Sequence, residues 1–186
     1  MEKLTLEHIA PYLPYGLKAL KMAAEKPYLV NITGGTKEDN SKEYLFYSEP
    51  KNKEVGNYET IYFKPILRPT DLTKPITIEG KEVIPIVELA KISFGKIGTY
   101  ELNSNTNELI TKINSLMDLK YKALSYRQGS FTHSNYNSKL EITHYFSAKN
   151  QLGLFKWLYA NKFDLEGLID AGLVIDVNTL ETNPYE

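Results

Sequence analysis

A chain of 186 residues that is 42% hydrophobic and 24% charged has the size and apolar content of one globular domain with a substantial core. A formal net charge of -1 gives no global field to draw it to nucleic acid or anionic lipid, and its basic residues include only two arginines, Arg68 and Arg127, the side chain suited to bidentate phosphate and base contacts. Cysteine is absent, which excludes disulfides, thiolate nucleophiles and cysteine-ligated zinc.

In chain order, Thr5 is placed to cap a one-turn helix from Leu6 to Ala10, stopped by Pro11 and Pro14. Strands are predicted over Leu17–Met22, Tyr28–Thr33 and Tyr44–Tyr47, with Gly34-Gly35 as a turn and the last two strands as a hairpin with a long tip. Ser48 to Glu59 is polar and reads as an exposed loop. Thr60–Phe63 resumes a strand that runs into prolines 65, 69 and 75, which hold the chain extended or turned. Ile76–Ile78 and Lys81–Ile84 form a short hairpin about Glu79-Gly80, and Pro85 opens a helix carrying Ile86, Leu89 and Ala90. Tyr100–Leu102 reads as a strand.

Asn105 with Glu108 three residues later resembles a capping box, and Leu109, Ile110, Ile113, Leu116 and Met117 recur at helical spacing, so a helix is predicted over 105–118. Tyr121–Arg127 and Lys139–Phe146 alternate as paired strands, joined by the long polar and aromatic connection QGSFTHSNYNS. Ser147 caps a helix over 148–160 with Leu154, Phe155, Leu158 and Tyr159 on one face and Trp157, expected to be buried, widening it. Asn161 is a left-handed stop, and Asp164 caps a shorter helix carrying Leu165, Leu168 and Ile169 that Gly172 ends. Leu173–Val177 then forms a buried strand. With strands early and strong helices late, the reading is α+β. It is one domain over 1–186, in which two or three helices pack on a mainly antiparallel sheet and the C-terminal stretch is the packing centre.

Chemistry is sparse. His8, His133 and His144 are far apart in sequence, and the pair Glu141 and His144 falls in a strand, where i and i+3 point to opposite faces. Gly34-Gly35-Thr36-Lys37 lacks the spacing of a phosphate-binding loop, and there is neither a nucleophile elbow nor a dinucleotide fingerprint. No catalytic residue, metal ligand or cofactor is therefore predicted. Two segments are candidates for contact with a ligand or partner. The first is Arg68-Pro69-Thr70-Asp71, whose stiff backbone presents Arg68 and Asp71 together, though a mutual pair across the turn explains them better. The second is the set Tyr126, Arg127, Phe131, His133, Asn135 and Tyr136, aromatic and polar groups suited to an adaptable recognition loop.

Three blocks carry a resemblance. They are Leu4-Thr5-Leu6-Glu7-His8 with Pro11-Tyr12-Leu13, Lys64-Pro65-Ile66-Leu67-Arg68-Pro69 with Asp71-Leu72-Thr73, and Phe163-Asp164-Leu165-Glu166-Gly167-Leu168-Ile169 through Gly172-Leu173-Val174-Ile175-Asp176 with Asn178-Thr179-Leu180. In this order they resemble a family of small uncharacterised proteins carried by phages and prophages of Bacteroidetes bacteria. No block matches between Gly95 and Phe146. The resemblance implies a phage-borne accessory protein inside a bacterial cell, with no catalytic residues to carry over. The N-terminus lacks the long apolar core of a signal peptide, and no apolar run approaches the ~18 residues that span a bilayer, so a soluble cytoplasmic protein without membrane association is expected. The leading functional expectation is a non-enzymatic binding protein with a host or phage protein as partner. An enzyme of unrecognised type is the alternative, and nucleic-acid binding, disfavoured by charge and arginine content, is a second.

Overall fold

The computed structural model describes residues 3–23, 26–38, 42–50, 53–112 and 121–186. Its elements are α1 (Leu6–Ile9), β1 (Lys18–Lys21), β2 (Tyr28–Lys37), β3 (Glu43–Ser48), β4 (Val55–Glu59), β5 (Phe63–Leu67), β6 (Ile76–Ile78), β7 (Lys81–Val83) and α2 (Pro85–Phe94). They continue with β8 (Tyr100–Asn103), β9 (Glu108–Lys112), β10 (Tyr121–Arg127), β11 (Ser130–Tyr136), β12 (Ile142–Ser147), α3 (Gln151–Ala160) and β13 (Ile175–Asp176). The fold is α+β and mainly antiparallel. Contacts divide the chain into two compact units, Met1–Thr70 with Leu158–Tyr185, and Asp71–Trp157.

The first unit is built on a sheet of order β13-β5-β1-β2-β3-β4, antiparallel except for the β5–β13 pair. Its core gathers Leu4, Ile9, Tyr12, Leu17, Ala19, Val30, Ile32, Leu45, Phe63, Leu67, Leu168 and Val174, so residues from both ends of the sequence bury one another's apolar surface. Three expectations change here. Gly34 and Gly35 do not turn the chain. They lie inside β2 at a register shift against β3, and a Cβ on Gly35 would stand 2.4 Å from Leu6 Cδ1 and 3.0 Å from the Tyr44 carbonyl oxygen. Glycine is needed there for close approach. Part of the expected loop over 48–59 is β4, with Gly56 opposite Tyr47. The expected strand over 60–63 is a 3-10 turn, Thr60–Tyr62, that delivers Phe63 into β5.

The short helix expected after Asp164 is absent, because Gly167 (φ 74°) is left-handed within it, while Gly172 (φ 70°) is left-handed where its end was expected. Turns replace it, ordered by the buried Asp164 carboxylate. That carboxylate accepts the backbone N–H groups of Glu166 (3.3 Å), Leu168 (3.0 Å) and Ile169 (2.7 Å). The left-handed residue after α3 is Lys162 (φ 61°), one position beyond the expected Asn161. Near the end of the chain, the Tyr185 hydroxyl accepts the Lys18 N–H (3.1 Å) and donates to the Ile66 carbonyl (2.7 Å). The β1–β5 ladder pairs Lys21 with Phe63 and Ala19 with Pro65, so this hydroxyl stands where the next rung would fall.

The second unit carries an antiparallel sheet of order β12-β11-β10-β9-β8 and the separate hairpin β6–β7. The hairpin turns on Glu79 (φ 51°) and Gly80 (φ 74°), and Pro85 occupies the first turn of α2, both as the sequence indicates. The helix predicted over 105–118 is corrected for its described part. Ser104–Thr106 is a 3-10 turn, Asn107 is left-handed (φ 45°), and Glu108–Lys112 is a strand. Leu109 and Ile110 satisfy either period, and the left-handed Asn107 ends any helix begun at 105. Ile113, Leu116 and Met117 lie outside the described residues.

The polar connection between the two predicted strands is likewise corrected. Gln128 (φ 49°) and Gly129 (φ 71°) form a two-residue left-handed turn, and the chain returns at once as β11 between β10 and β12. At the start of α3 the cap is Asn150, whose Oδ1 accepts the Gly153 N–H at 3.2 Å, while Ser147 ends β12. Leu154 and Leu158 of α3 are fully buried, but Trp157 is half-buried, which corrects the expectation that it is buried.

Candidate functional site

Strand alternation sorts the predicted contact residues onto opposite faces of the second sheet. Leu124, Tyr126, Phe131, His133 and Phe146 share one face through the pairs Leu124–His133, Tyr126–Phe131 and His133–Phe146. Ser125, Arg127, Ser130, Thr132, Ser134 and Tyr136 share the other, with Glu108 beside Ser125. They are therefore not one recognition loop, and Tyr126, Phe131, His133 and Tyr136 are all buried.

The first face is a core. The Phe131 ring lies 4.8 Å from that of Tyr126 and 5.5 Å from that of Phe155 on α3, while the Gln151 amide both accepts the Phe131 N–H and donates to its carbonyl. On α2, Ser93 Oγ stands 2.6 Å from His133 Nε2 and the Phe94 ring 4.7 Å from the imidazole. Burial, then the Lys122 and Lys149 ammoniums, hold the His133 pKa below its ordinary 6.5, so the ring is neutral at pH 7.

A neutral imidazole on a serine is the contact that opens nucleophilic catalysis. Ser93, however, is in the last turn of α2, where the helix presents carbonyl oxygens, the wrong sign to stabilise an oxyanion. The pair pins α2 to the sheet. Its pH consequence has a definite sign. Below pH 6.5 the unfolded chain takes up a proton that the folded chain resists, so this contribution is complete above the unfolded value and is lost as pH falls through the lower folded one. Urea midpoints of the wild type are expected to drop on acidification through this window. A His133→Phe variant should show a shallower drop, and an equal drop would show that His133 is not responsible.

The second face holds a hydrogen-bonded cluster. Tyr136 donates to Glu108 Oε1 (3.2 Å), Thr106 to Glu108 Oε2 (3.4 Å), and the Ser125 and Thr132 hydroxyls meet at 2.8 Å. Burial and the Glu108 carboxylate together push the Tyr136 phenol above its ordinary value. Arg127 is exposed at the end of β10. A cavity of about 240 Å³ lined by Thr99, Tyr100, Glu101, Ile110, Lys112, Tyr121 and Leu140 contains none of the eight predicted contact residues.

Arg68 and Asp71 have structural partners. The Arg68 N–H donates to the Lys162 carbonyl and its own carbonyl accepts the Asp164 N–H, both at 2.7 Å, and its side chain is buried. Asp71 pairs with Lys74 at 3.0 Å and accepts from the Thr73 hydroxyl at 2.8 Å. Burial opposes its charge, but Lys74 and Thr73 outweigh that and lower its pKa.

Sequence reasoning missed two constellations. In the first unit, Lys21 is 8% exposed and its ammonium sits 2.5 Å from the Tyr47 hydroxyl, with ring centres of Tyr47 at 4.2 Å and Tyr58 at 4.6 Å. Burial acts against the charge, yet the phenols of Tyr47 and Tyr28 outweigh it and raise the pKa, so Lys21 caps the core edge as a cation. The second is β12. All six of its residues are exposed, including Ile142 (59%), Tyr145 (66%) and Phe146 (39%).

Among the described residues, strand β12 pairs with β11 alone and is a free edge of its sheet. Ala148 N–H donates to the Phe131 carbonyl, and the register alternates from there, so Phe146 and His144 face β11. The N–H and C=O groups of Tyr145 and Ser147 point outward, and a register shift follows at Thr143. Its sequence ITHYFS contains no proline, lysine or carboxylate, the residues that ordinarily protect an edge from pairing.

Among the described residues, no group of three or more His, Cys, Asp or Glu side chains could hold a metal ion, and no helix is long and apolar enough to cross a membrane. Comparison with protein-family models, with curated proteins and with solved structures gives no match to this chain.

Proposed function

We propose that this chain is a non-enzymatic binding protein that receives an extended segment of a partner along the free edge of β12, adding a strand to the second sheet. The observation that carries this reading is the edge itself, six exposed residues with two outward-facing backbone positions and no charged or proline guard. The resemblance of three sequence blocks to phage- and prophage-borne proteins supplies the setting, an accessory protein in the cytoplasm of a bacterial host, and makes a host or phage protein the partner. An enzymatic reading has less support, since the Ser93–His133 pair lies at the unfavourable end of its helix.

Proline at 145 tests the reading, because it removes an outward N–H without touching a bond to β11. Immobilised wild-type chain is expected to retain a defined host or phage protein, and Tyr145→Pro to lose it with an unchanged melting temperature. Tyr145→Thr, which keeps the N–H, should hold most of the binding. Equal retention by the proline variant would overturn the edge as the site.

A further inference from the structure

The two main sheets have four edge strands among the described residues, and three of them carry a carboxylate: Asp176 in β13, Glu59 in β4 and Glu101 in β8. The fourth, β12, carries none. The difference matters for a two-fold symmetric pair of copies, in which an edge meets itself and a charge near the axis meets its own like. At β12 no such charge opposes a second copy, and the net charge of -1 adds no general repulsion.

The backbone of β12 also suits a copy of itself. Its outward-facing positions, Tyr145 and Ser147, flank Phe146. An antiparallel pair about a two-fold axis at Phe146 sets Tyr145 opposite Ser147 of the second copy. Each such pair exchanges two N–H···O=C bonds, so both outward positions of both copies are used. Phe146, 39% exposed, then meets its own copy across a closely spaced rung, on the face where its ring already lies 5.5 Å from that of His133.

From these observations we infer that a second copy of this chain closes the β12 edge while no partner segment occupies it, so that reversible dimerisation regulates the docking site. The inference rests on the reading of β12 as the docking edge and adds what governs access to it. Four backbone bonds and one aromatic pair form an interface far smaller than that of a permanent dimer. Closure therefore depends on concentration and yields to a partner strand that bonds along more of the edge.

Light scattering on the full chain tests the closure. The wild type is expected to move from one chain to two as its concentration rises and to stop there, because a two-fold pair uses up the edge. Tyr145→Pro removes one N–H of each exchanged pair and should remain a single chain at concentrations about tenfold higher. At dilutions where both are monomers the two should melt alike. The register has its own readout, since the chain contains no cysteine. Phe146→Cys should form a disulfide-linked dimer on mild oxidation, its two Cα atoms standing about 4.5 Å apart. Tyr145→Cys, whose copies are not opposite one another, should link poorly. The linked Phe146→Cys dimer should retain no host or phage protein, and reduction should restore retention.

A wild type that stays a monomer at every concentration, while Tyr145→Pro still loses the retained protein, overturns closure by a second copy and leaves the edge reading standing. A dimer that survives Tyr145→Pro, or one that Tyr145→Cys links as readily as Phe146→Cys, overturns the closure as well. If the linked dimer and Tyr145→Pro both retain the partner as the wild type does, the edge reading itself fails and the inference with it.

Discussion

Tyr12→Ala is expected to destabilise the protein by about 3–5 kcal/mol, the range for deleting a large buried aromatic side chain. Tyr12 has no exposed surface, and its ring meets Tyr159 edge to face at 5.1 Å. Its hydroxyl donates to the Phe163 carbonyl at 2.8 Å and accepts the Leu165 N–H at 3.5 Å, which ties α1's neighbourhood to residues some 150 positions later. Burial raises the phenol's pKa well above its ordinary value, so it is a neutral donor at pH 7. Tyr12→Phe keeps the ring and removes only the hydroxyl, leaving the Phe163 carbonyl without this donor, and should cost about 1–3 kcal/mol. Denaturant midpoints at constant slope give the order wild type, Phe, Ala. A Phe variant as stable as the wild type would show the hydroxyl contacts to be worth little, and an Ala variant as stable as Phe would show the ring is not a core element.

Asp164→Ala is the second large effect, about 3 kcal/mol or more, because it strands several amide donors in or near the core at about 1–3 kcal/mol for each one left buried. The two carboxylate oxygens divide the work. Oδ1 takes the N–H groups of Glu166 and Leu168, and Oδ2 takes that of Ile169. Asp164→Asn can keep the Oδ1 contacts while its amide nitrogen cannot accept from Ile169, so it should be destabilised less than the alanine variant. Amide hydrogen exchange gives the local readout. The Ile169 N–H should lose protection in both variants, whereas the Leu168 N–H should lose it in Ala alone. Loss of protection at both amides in Asn would show that the two oxygens do not act separately.

Local chemistry made much of the fold legible. Pro85 at the head of α2, the Glu79-Gly80 hairpin and the left-handed Gly172 each follow from the φ a residue permits, and these signals need no tertiary context. The failures have a common cause. Gly34 and Gly35 resemble a turn, yet what selects glycine at 35 is the approach of Leu6 and of the Tyr44 backbone, contacts that sequence spacing does not show. Glu108 carries a capping-box signature, but its carboxylate is claimed by Tyr136, 28 residues away. The polarity of SFTHSNY suggested a loop. Its small hydroxyl residues instead fill one face of a central strand, while Phe131 and His133 fill the other, and the Gln128-Gly129 pair was the available clue.

The candidate residues were divided in the same way. Alternation along β10 and β11 was readable and would have separated Tyr126 from Arg127, but the free edge of β12 depends on which strand is last in the sheet, and no local pattern reports that.

The Tyr185 hydroxyl between Lys18 and Ile66 gives the chain an order of assembly. Residues 71–157 form an uninterrupted unit whose main sheet pairs sequence neighbours, so its strands can close as they leave the ribosome. The other unit has its first seventy residues translated early and must wait for the stretch after 157 to supply Leu168, Val174, β13 and finally the tyrosine that completes the β1–β5 rung. During synthesis the later-encoded unit is therefore the first to finish, and the earlier-encoded one stays open at one side of its sheet until Tyr185 has emerged.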